Sequence, residues 1–245
     1  MKDDLVERKA TIRDAIAVAR ELLKTNASDD ESIVGGDTSS SVHTKTDVVV
    51  GDAVMALVRE AFSSDSIVIE DAGCHVGQSE FTWLVDPIDG SLNRIRGSKD
   101  HTFGICLARA GEPLISGIWS EEFDAEFLSW SPDEVPSVPR EQASPRIMGV
   151  GFSGNPKLAD IEAANLRRLL EAGYAVRELG STQSTLVRLL KGQLDGYLEY
   201  HLAAWDVAPV VPMMRGYALP LAFSLGSEDG ARDAWIAVGD GVRFR

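Results

Sequence analysis

The stretch "WLVDPIDGSLNRIRG", Trp83 to Gly97, restricts the local geometry of this chain more than any other. It begins with an apolar run and directly after it sets Asp86 and Asp89 three residues apart, with Pro87 between them and Gly90 following. Pro87 has no N–H to donate to a strand ladder, and Gly90 permits a turn that most residues resist. The chain must bend there, so both carboxylates can face one point. Two like charges held close repel unless a cation or protons sit between them. The plain alternative is an Asx-type turn in which Asp89 only accepts hydrogen bonds from backbone.

Other acids end apolar runs in the same way. Glu70 and Asp71 close "SIVIED", and Asp206 follows "LEYHLAAW" where a helix is expected to begin. Taken singly, Glu70 reads as a solvated acid at a strand end and Asp206 as a helix N-cap. Together with Asp86 and Asp89 they form an all-oxygen set of the kind that suits Mg²⁺ or Mn²⁺ and not zinc. His43, His75, His101 and His201 are scattered, in what read as loops, without the spacing of metal ligands. Cys74 and Cys106 also lack metal-type spacing and read as reduced core thiols.

Periodicity places these acids in two unlike halves. Leu5, Ile12, Ile16, Ala19 and Leu23 predict an amphipathic helix over 4–24. A polar segment, "ASDDESIVGGDTSSSVHTKTD", reads as a loop or irregular hairpin with a mobile tip. A second helix follows over 47–62, with Asp47 capping or preceding it. Five β-rich runs come next (66–70, 82–86, 102–110, 113–119 and 126–130) with no helix between them, which predicts an antiparallel or mixed sheet. The Pro-rich "SPDEVPSVPREQASP" marks a boundary between halves at 1–140 and 141–245. Beyond it, strands and helices alternate, an α/β pattern that carries Glu199 and Asp206.

A formal charge of −14 on 245 residues opposes binding to nucleic acid polymers or anionic membrane surfaces. No apolar run is long enough to span a bilayer, and the start "MKDDLVERKA" is too charged for a signal peptide, so a cytoplasmic location is expected. A small anionic substrate would need local compensation, from cations or from nearby arginines.

The segment Trp83–Asn93 satisfies W-x-V-D-P-[IL]-D-G-[TS]-x-N throughout and resembles the first signature of the inositol monophosphatase family, whose superfamily includes fructose-1,6-bisphosphatases and bisphosphate nucleotidases. "VHTKTD" (42–47), "IVIED" (67–71) and "RELGSTQSTLVRLLKGQLDGYLEYHLAAWD" (177–206) resemble further segments of that family. The resemblance implies a layered αβαβα sandwich of the sugar-phosphatase type and a homodimer. It also implies Mg²⁺-dependent hydrolysis of a small phosphate monoester, an inositol or sugar monophosphate, by a metal-activated water. The alternatives are a fructose-1,6-bisphosphatase, a 3′,5′-bisphosphate nucleotidase, or a non-catalytic member of the fold.

On the same resemblance, Glu70, Asp86, the carbonyl of Ile88, Asp89 and Asp206 would hold two or three Mg²⁺ ions, with Mn²⁺ able to replace them. Ser91, oriented by Asp47 or Glu70, would handle the attacking water, and the amides of Gly90 and Ser91 would face the phosphate. Asp89, Gly180, Ser181, Thr182 and Glu199 would line the alcohol side. The chain departs from the pattern at Arg94, where an aromatic residue is usual, with Arg96 close behind. These are either surface charges balancing the acids or holders of a second phosphate. It departs again after Asp206, where "VAPVVPMMRGYA" puts Pro212 in a position that shortens or kinks the helix.

Overall fold

In a computed structural model the chain is described at residues 2–25, 33–35, 42–131, 146–217, 219–226 and 234–239. The tip of the polar segment after the first helix and the Pro-rich stretch expected between the halves lie outside these residues. The counts below refer to the described residues.

Helix α1 (Lys2–Thr25) buries Ile12, Ile16, Ala19 and Leu23, which recur at three- and four-residue steps. The two short strands β1 (Ile33–Gly35) and β2 (His43–Thr44) pair antiparallel, the irregular hairpin that was expected. Helix α2 (Lys45–Ala61) buries Val50, Val54 and Val58 at four-residue steps. Asp47 does not cap or precede α2, as expected, but stands in its first turn, three residues after the N-cap Thr44. Its Oδ2 accepts hydrogen bonds from the Thr44 backbone N–H at 2.7 Å and the Thr44 hydroxyl at 2.6 Å. A carboxylate there satisfies one of the open amides of the helix start and faces the positive end of its dipole.

Six strands follow: β3 (Ser66–Ile69), β4 (Gly73–His75), β5 (Phe81–Asp89), β6 (Thr102–Arg109), β7 (Glu112–Ser120) and β8 (Ala125–Leu128). Their order is β4-β3-β5-β6-β7-β8, with β3 and β5 parallel and the other pairs antiparallel, so the sheet is mixed. Strand β4 was not expected. It lies at the edge of the sheet and leaves Cys74 exposed, which corrects its assignment as a core thiol; Cys106, on β6, is buried. A one-turn helix, α3 (Ser91–Ile95), connects β5 towards β6.

A buried ion pair fastens α1 to this sheet. The Arg8 guanidinium pairs with Asp65, which also accepts from Trp83 Nε1 at 2.9 Å and Ser79 Oγ at 2.6 Å. It lies 3.9 Å from the ring centroid of Phe81 and 4.2 Å from that of Phe62. Every partner of the buried charge is in place, as low dielectric demands.

The second sheet has the order β10-β9-β11-β13-β12, from β9 (Ile147–Val150), β10 (Ala175–Glu178), β11 (Gly196–Leu202), β12 (Leu221–Ser224) and β13 (Ala234–Gly239). Strand β9 runs parallel to both β10 and β11, and β13 runs antiparallel to β11 and β12. Its helices are α4 (Ala159–Glu171), α5 (Thr182–Leu190), α6 (Ala204–Val207) and α7 (Val211–Gly216).

The helix expected to start at Asp206 starts two residues earlier and breaks after Val207. Asp206 is therefore not an N-cap but a first-turn residue, accepting the Ala203 N–H at 2.8 Å. The chain resumes as α7 with Pro212 in its first turn, where no backbone donor is needed. The histidines also need correction: His43, His75 and His201 lie in strands, and of the four only His101 is in a loop.

The layers stack in the order αβαβα. Helices α1 and α2 share one core with Trp83, Val85, Phe103 and Ile105 of the first sheet. Ile118 and Phe127 join Leu186, Val211 and Met214 of the middle helices, and Tyr197, Ile236 and Val238 of the second sheet, in another. Helix α4 packs against β10. The cleft that holds the acids opens between the end of β5 and the start of α5, where the two sheets meet through the middle helices.

Candidate active site

The bend expected at Asp86–Gly90 is built as a β-bulge. Asp86 pairs with Gly104 and Asp89 with Thr102, so the three-residue advance on β5 meets a two-residue advance on β6. The extra residue re-aims the side chains, the usual consequence of a bulge near a functional site. Pro87 lies within the irregular part of the ladder, where its missing N–H is tolerated. Gly90 then takes φ +97°, and a side chain there would lie 2.9 Å from the Asp100 carbonyl and 3.0 Å from Ser181 Cβ. Only glycine suits both the dihedral and the space.

Around this bulge the sequence-predicted residues form three groups. Carboxylate oxygens of Glu70, Asp86 and Asp206 lie within 4.8 Å of one another. Ser91 Oγ lies 2.7 Å from Asp47 Oδ1 and 2.9 Å from the Ile88 carbonyl oxygen, and all three residues are buried. Asp89 faces the second half, where its Oδ2 accepts from Ser181 Oγ at 2.8 Å and from the Gln183 backbone N–H. Glu199 is reached from the same loop: its Oε2 accepts from Thr182 Oγ1 at 2.6 Å and from the Tyr197 hydroxyl. Asn93, the last residue of the signature, binds the halves together by donating to the carbonyls of Asp100 at 2.7 Å and Leu179 at 2.6 Å.

Burial, with like charges nearby, raises Asp86, Asp89 and Glu199. Asp86 is pushed well above the usual carboxylate range by desolvation and then by Glu70, Asp89, Asp206 and Asp47. Asp89 rises to about 7 through burial and the charge of Asp206, against the pull of its bonds from Gln183 and Ser181. Burial lifts Glu199 to about 8 in spite of the hydrogen bonds from Thr182 and Tyr197. The Tyr197 hydroxyl is raised as well, by burial and by the Glu199 beside it. Such a cluster cannot be fully ionised at neutral pH without added positive charge.

The cleft has a volume of about 470 Å³. Among the described residues its wall contains eight acids, the six above with Asp71 and Glu178, and neither lysine nor arginine. The charged side chains of this wall therefore offer an incoming anion no compensation. Arg94 turns away, its Nη1 donating to the Leu23 carbonyl at the end of α1 at 3.3 Å, and Arg96 is exposed. Gly180 and Ser181 line the cleft with Gly90 and Ser91.

Two residues in or beside the cleft, His201 and Gln183, are not assigned to the site by the sequence, which reads His201 only as a scattered loop histidine. His201 lines it from a bulge in β11, with φ +65° and its Nε2 3.4 Å from Asn155 Nδ2. Gln183, fully buried, contacts Asp86 and Asp89 from the first turn of α5. The one signal for His201 was its place two residues after Glu199. For Gln183 there was none, since an amide in a first helical turn is unremarkable.

The fold and the clustered acids define a layered α/β protein with an acidic, oxygen-lined cleft, and comparison with known proteins gives the lineage. The inositol monophosphatase family profile matches residues 4–216, and the chain belongs to that family. It is 24% identical over 213 residues to the putative Nus factor SuhB of Neisseria meningitidis serogroup B, an alignment covering 83% of this chain and 78% of that one. It is 23% identical over 215 residues to human inositol monophosphatase 2, covering 80% and 73% of the two chains. In structure it is similar to the inositol monophosphatase of Anabaena (Nostoc), with a TM-score of 0.77 and 19% identity over 96% of this chain and 91% of the other.

Proposed function

We propose that the chain is a Mg²⁺-dependent phosphatase that hydrolyses a small phosphate monoester, an inositol or sugar monophosphate. The observation that carries this is the cleft's charge: eight acids and no lysine or arginine among its described lining residues. A phosphate entering such a wall meets repulsion unless cations accompany it. The donor set fits a hard cation, being all oxygen, and Asp86 Oδ1 is a buried acceptor without a hydrogen-bond partner. Glu70, Asp86, the Ile88 carbonyl, Asp89 and Asp206 would hold two or three Mg²⁺ ions, with Mn²⁺ able to replace them. When bound, the ions supply charge neutralisation and lower the pKa of water.

The chain's own residues do the rest. Ser91 works as a relay: its hydroxyl proton passes to Asp47 Oδ1 as its lone pair takes a proton from the attacking water, so the proton ends on the Asp47 carboxylate. The two Thr44 bonds fix the Asp47 carboxylate, so the acceptor is already oriented. Glu70 flanks the same water, and the amides of Gly90 and Ser91 take phosphate oxygens. On the alcohol side, Glu199 binds a substrate hydroxyl, held by Thr182 and Tyr197, while Asp89, Gly180 and Ser181 form the adjoining wall. With Arg94 tied to α1 and Arg96 exposed, neither arginine lines a second phosphate site, which favours a monophosphate over a fructose bisphosphate or a 3′,5′-bisphosphate nucleotide.

The test is a phosphate-release panel of inositol monophosphates, sugar phosphates and nucleotide 3′-phosphates, each with Mg²⁺ and with chelator. Release from a monoester that requires Mg²⁺ is expected. A panel without release sinks the proposal. The family resemblance further makes a homodimer the expected state, which light scattering measures.

A further inference from the structure

We propose that Gln183 is a positioning residue of the cation centre: its side-chain amide orients the Asp86 carboxylate through Oδ2 and ties it to the strand-to-helix junction carrying Asp206. The inference rests on the metal-dependent function proposed above.

The side chain of Gln183 is completely buried, and each of its polar atoms has a partner. Nε2 donates to Asp86 Oδ2 at 3.3 Å and to the Trp205 carbonyl at 3.3 Å, and Oε1 accepts from Thr102 Oγ1 at 3.5 Å. The amide can point only one way. A flipped amide would set its carbonyl oxygen against a carboxylate and a backbone carbonyl, three acceptors without a donor. The orientation is therefore dictated by chemistry.

The sheet is shaped to receive this group. Gly104 is the strand partner of Asp86, and a Cβ there would lie 2.0 Å from Gln183 Oε1. The absence of a side chain at 104 opens the space through which an amide from the second half reaches a carboxylate of the first. Meanwhile the Gln183 backbone N–H binds Asp89. One residue of α5 thus holds both aspartates of the bulge, and through Trp205 it reaches the residue next to Asp206.

The consequence lies at Asp86. With Oδ2 engaged by Nε2, Oδ1 is the oxygen left buried without a hydrogen-bond partner, the arrangement expected of a ligand atom. A neutral amide suits this task better than a lysine or arginine. It orients the carboxylate without a full positive charge that would compete with a cation for it.

Calorimetric titration of the full chain with Mg²⁺ tests the proposal, comparing the wild type with Gln183→Met, which keeps the volume but lacks the donor. Thr102→Val serves as a control that alters the same packing without touching a carboxylate. Gln183→Met is expected to weaken Mg²⁺ binding by about tenfold or more, the effect typical of residues that orient a metal ligand. Thr102→Val should bind Mg²⁺ within about twofold of wild type on the same argument. If Gln183→Met fails to fold, as judged by loss of a cooperative melt, Gln183→Asn carries the same expectation because its shorter amide cannot span to Asp86. A folded Gln183 variant that binds Mg²⁺ as tightly as wild type overturns the proposal, as does a loss equal to that of Thr102→Val. A wild-type chain that takes up no Mg²⁺ overturns the metal reading itself, a result separable from the first because it appears before any variant is made.

Discussion

Ser91 on α3 and Asp47 on α2, separated by 44 positions in the chain, meet through a 2.7 Å hydrogen bond between Oγ and Oδ1. In the proposed mechanism this bond turns the Ser91 lone pair toward the water. Ser91→Ala removes the acceptor without altering the turn, so phosphate release should fall about a hundredfold or more, the scale of general-base effects. Ser91→Thr retains the hydroxyl and should stay within about tenfold of wild type on the same basis. Steady-state rates at saturating Mg²⁺ measure both.

The raised acids make the stability of the metal-free protein depend on pH. A carboxyl whose folded pKa exceeds its unfolded value binds more protons in the folded state between the two, so stability falls as pH rises through that interval. For Asp89 the interval runs from 3.8 to about 7, and for Glu199 from 4.5 to about 8. His101, lowered from 6.5 to about 4 by burial and by Arg94, acts in the opposite direction below pH 6.5. Above that pH the acids dominate. Melting temperature in chelator should therefore drop between about pH 6.5 and 8, and saturating Mg²⁺ should flatten the slope. A metal-free melt that is level across this window contradicts the shifts.

The acids were legible because most are carried by short contiguous motifs. Asp86, Asp89, Gly90 and Ser91 occupy six positions, and Glu70 and Asp206 each close an apolar run that the fold turns into a strand or the approach to a helix. What could not be read depends on contacts between distant segments. The Gln183 amide meets Asp86 across 97 positions. Strand β4 is three residues long and begins with glycine, so it has neither the length nor the alternation that marks a strand. The break between α6 and α7 was half visible: Pro212 signalled an interruption, yet its place in the first turn of a new helix depends on packing against the first sheet. The sequence reads Asp47 as capping or preceding the helix, whereas it stands three residues after the N-cap Thr44 because the helix starts earlier than its apolar pattern suggests.

The hairpin between β6 and β7 offers a test of the fold independent of the site. Its two turn residues, Ala110 and Gly111, both have positive φ, at +50° and +82°, between the paired Arg109 and Glu112. Such two-residue turns favour Asn-Gly, because alanine in the left-handed region brings Cβ against the following carbonyl. Ala110→Asn should stabilise the protein by about 0.5–1 kcal/mol and raise its melting temperature by about 2 °C, with phosphate release unchanged.

Gly151 separates substrate binding from cation binding. It follows β9 and lies against Glu199, where a Cβ would come within 2.1 Å of the carboxyl carbon and 2.3 Å of Oε1. Neither group can yield easily: Gly151 donates its N–H to the Leu198 carbonyl, and Glu199 is held by Thr182 and Tyr197. Gly151→Ala must then displace the Glu199 carboxyl from those donors, while none of the atoms nearest the new Cβ belongs to Glu70, Asp86 or Asp206. The proposed role of Glu199 in binding a substrate hydroxyl makes the expected signature a KM increase of about tenfold, equivalent to about 1.4 kcal/mol, with Mg²⁺ affinity unchanged. Glu199→Gln keeps the size of the side chain and should raise KM alone in the same way. Equal KM values for wild type and both variants would remove Glu199 from the substrate site, whereas a loss of Mg²⁺ affinity in Gly151→Ala would show that the substrate and cation sites are mechanically coupled.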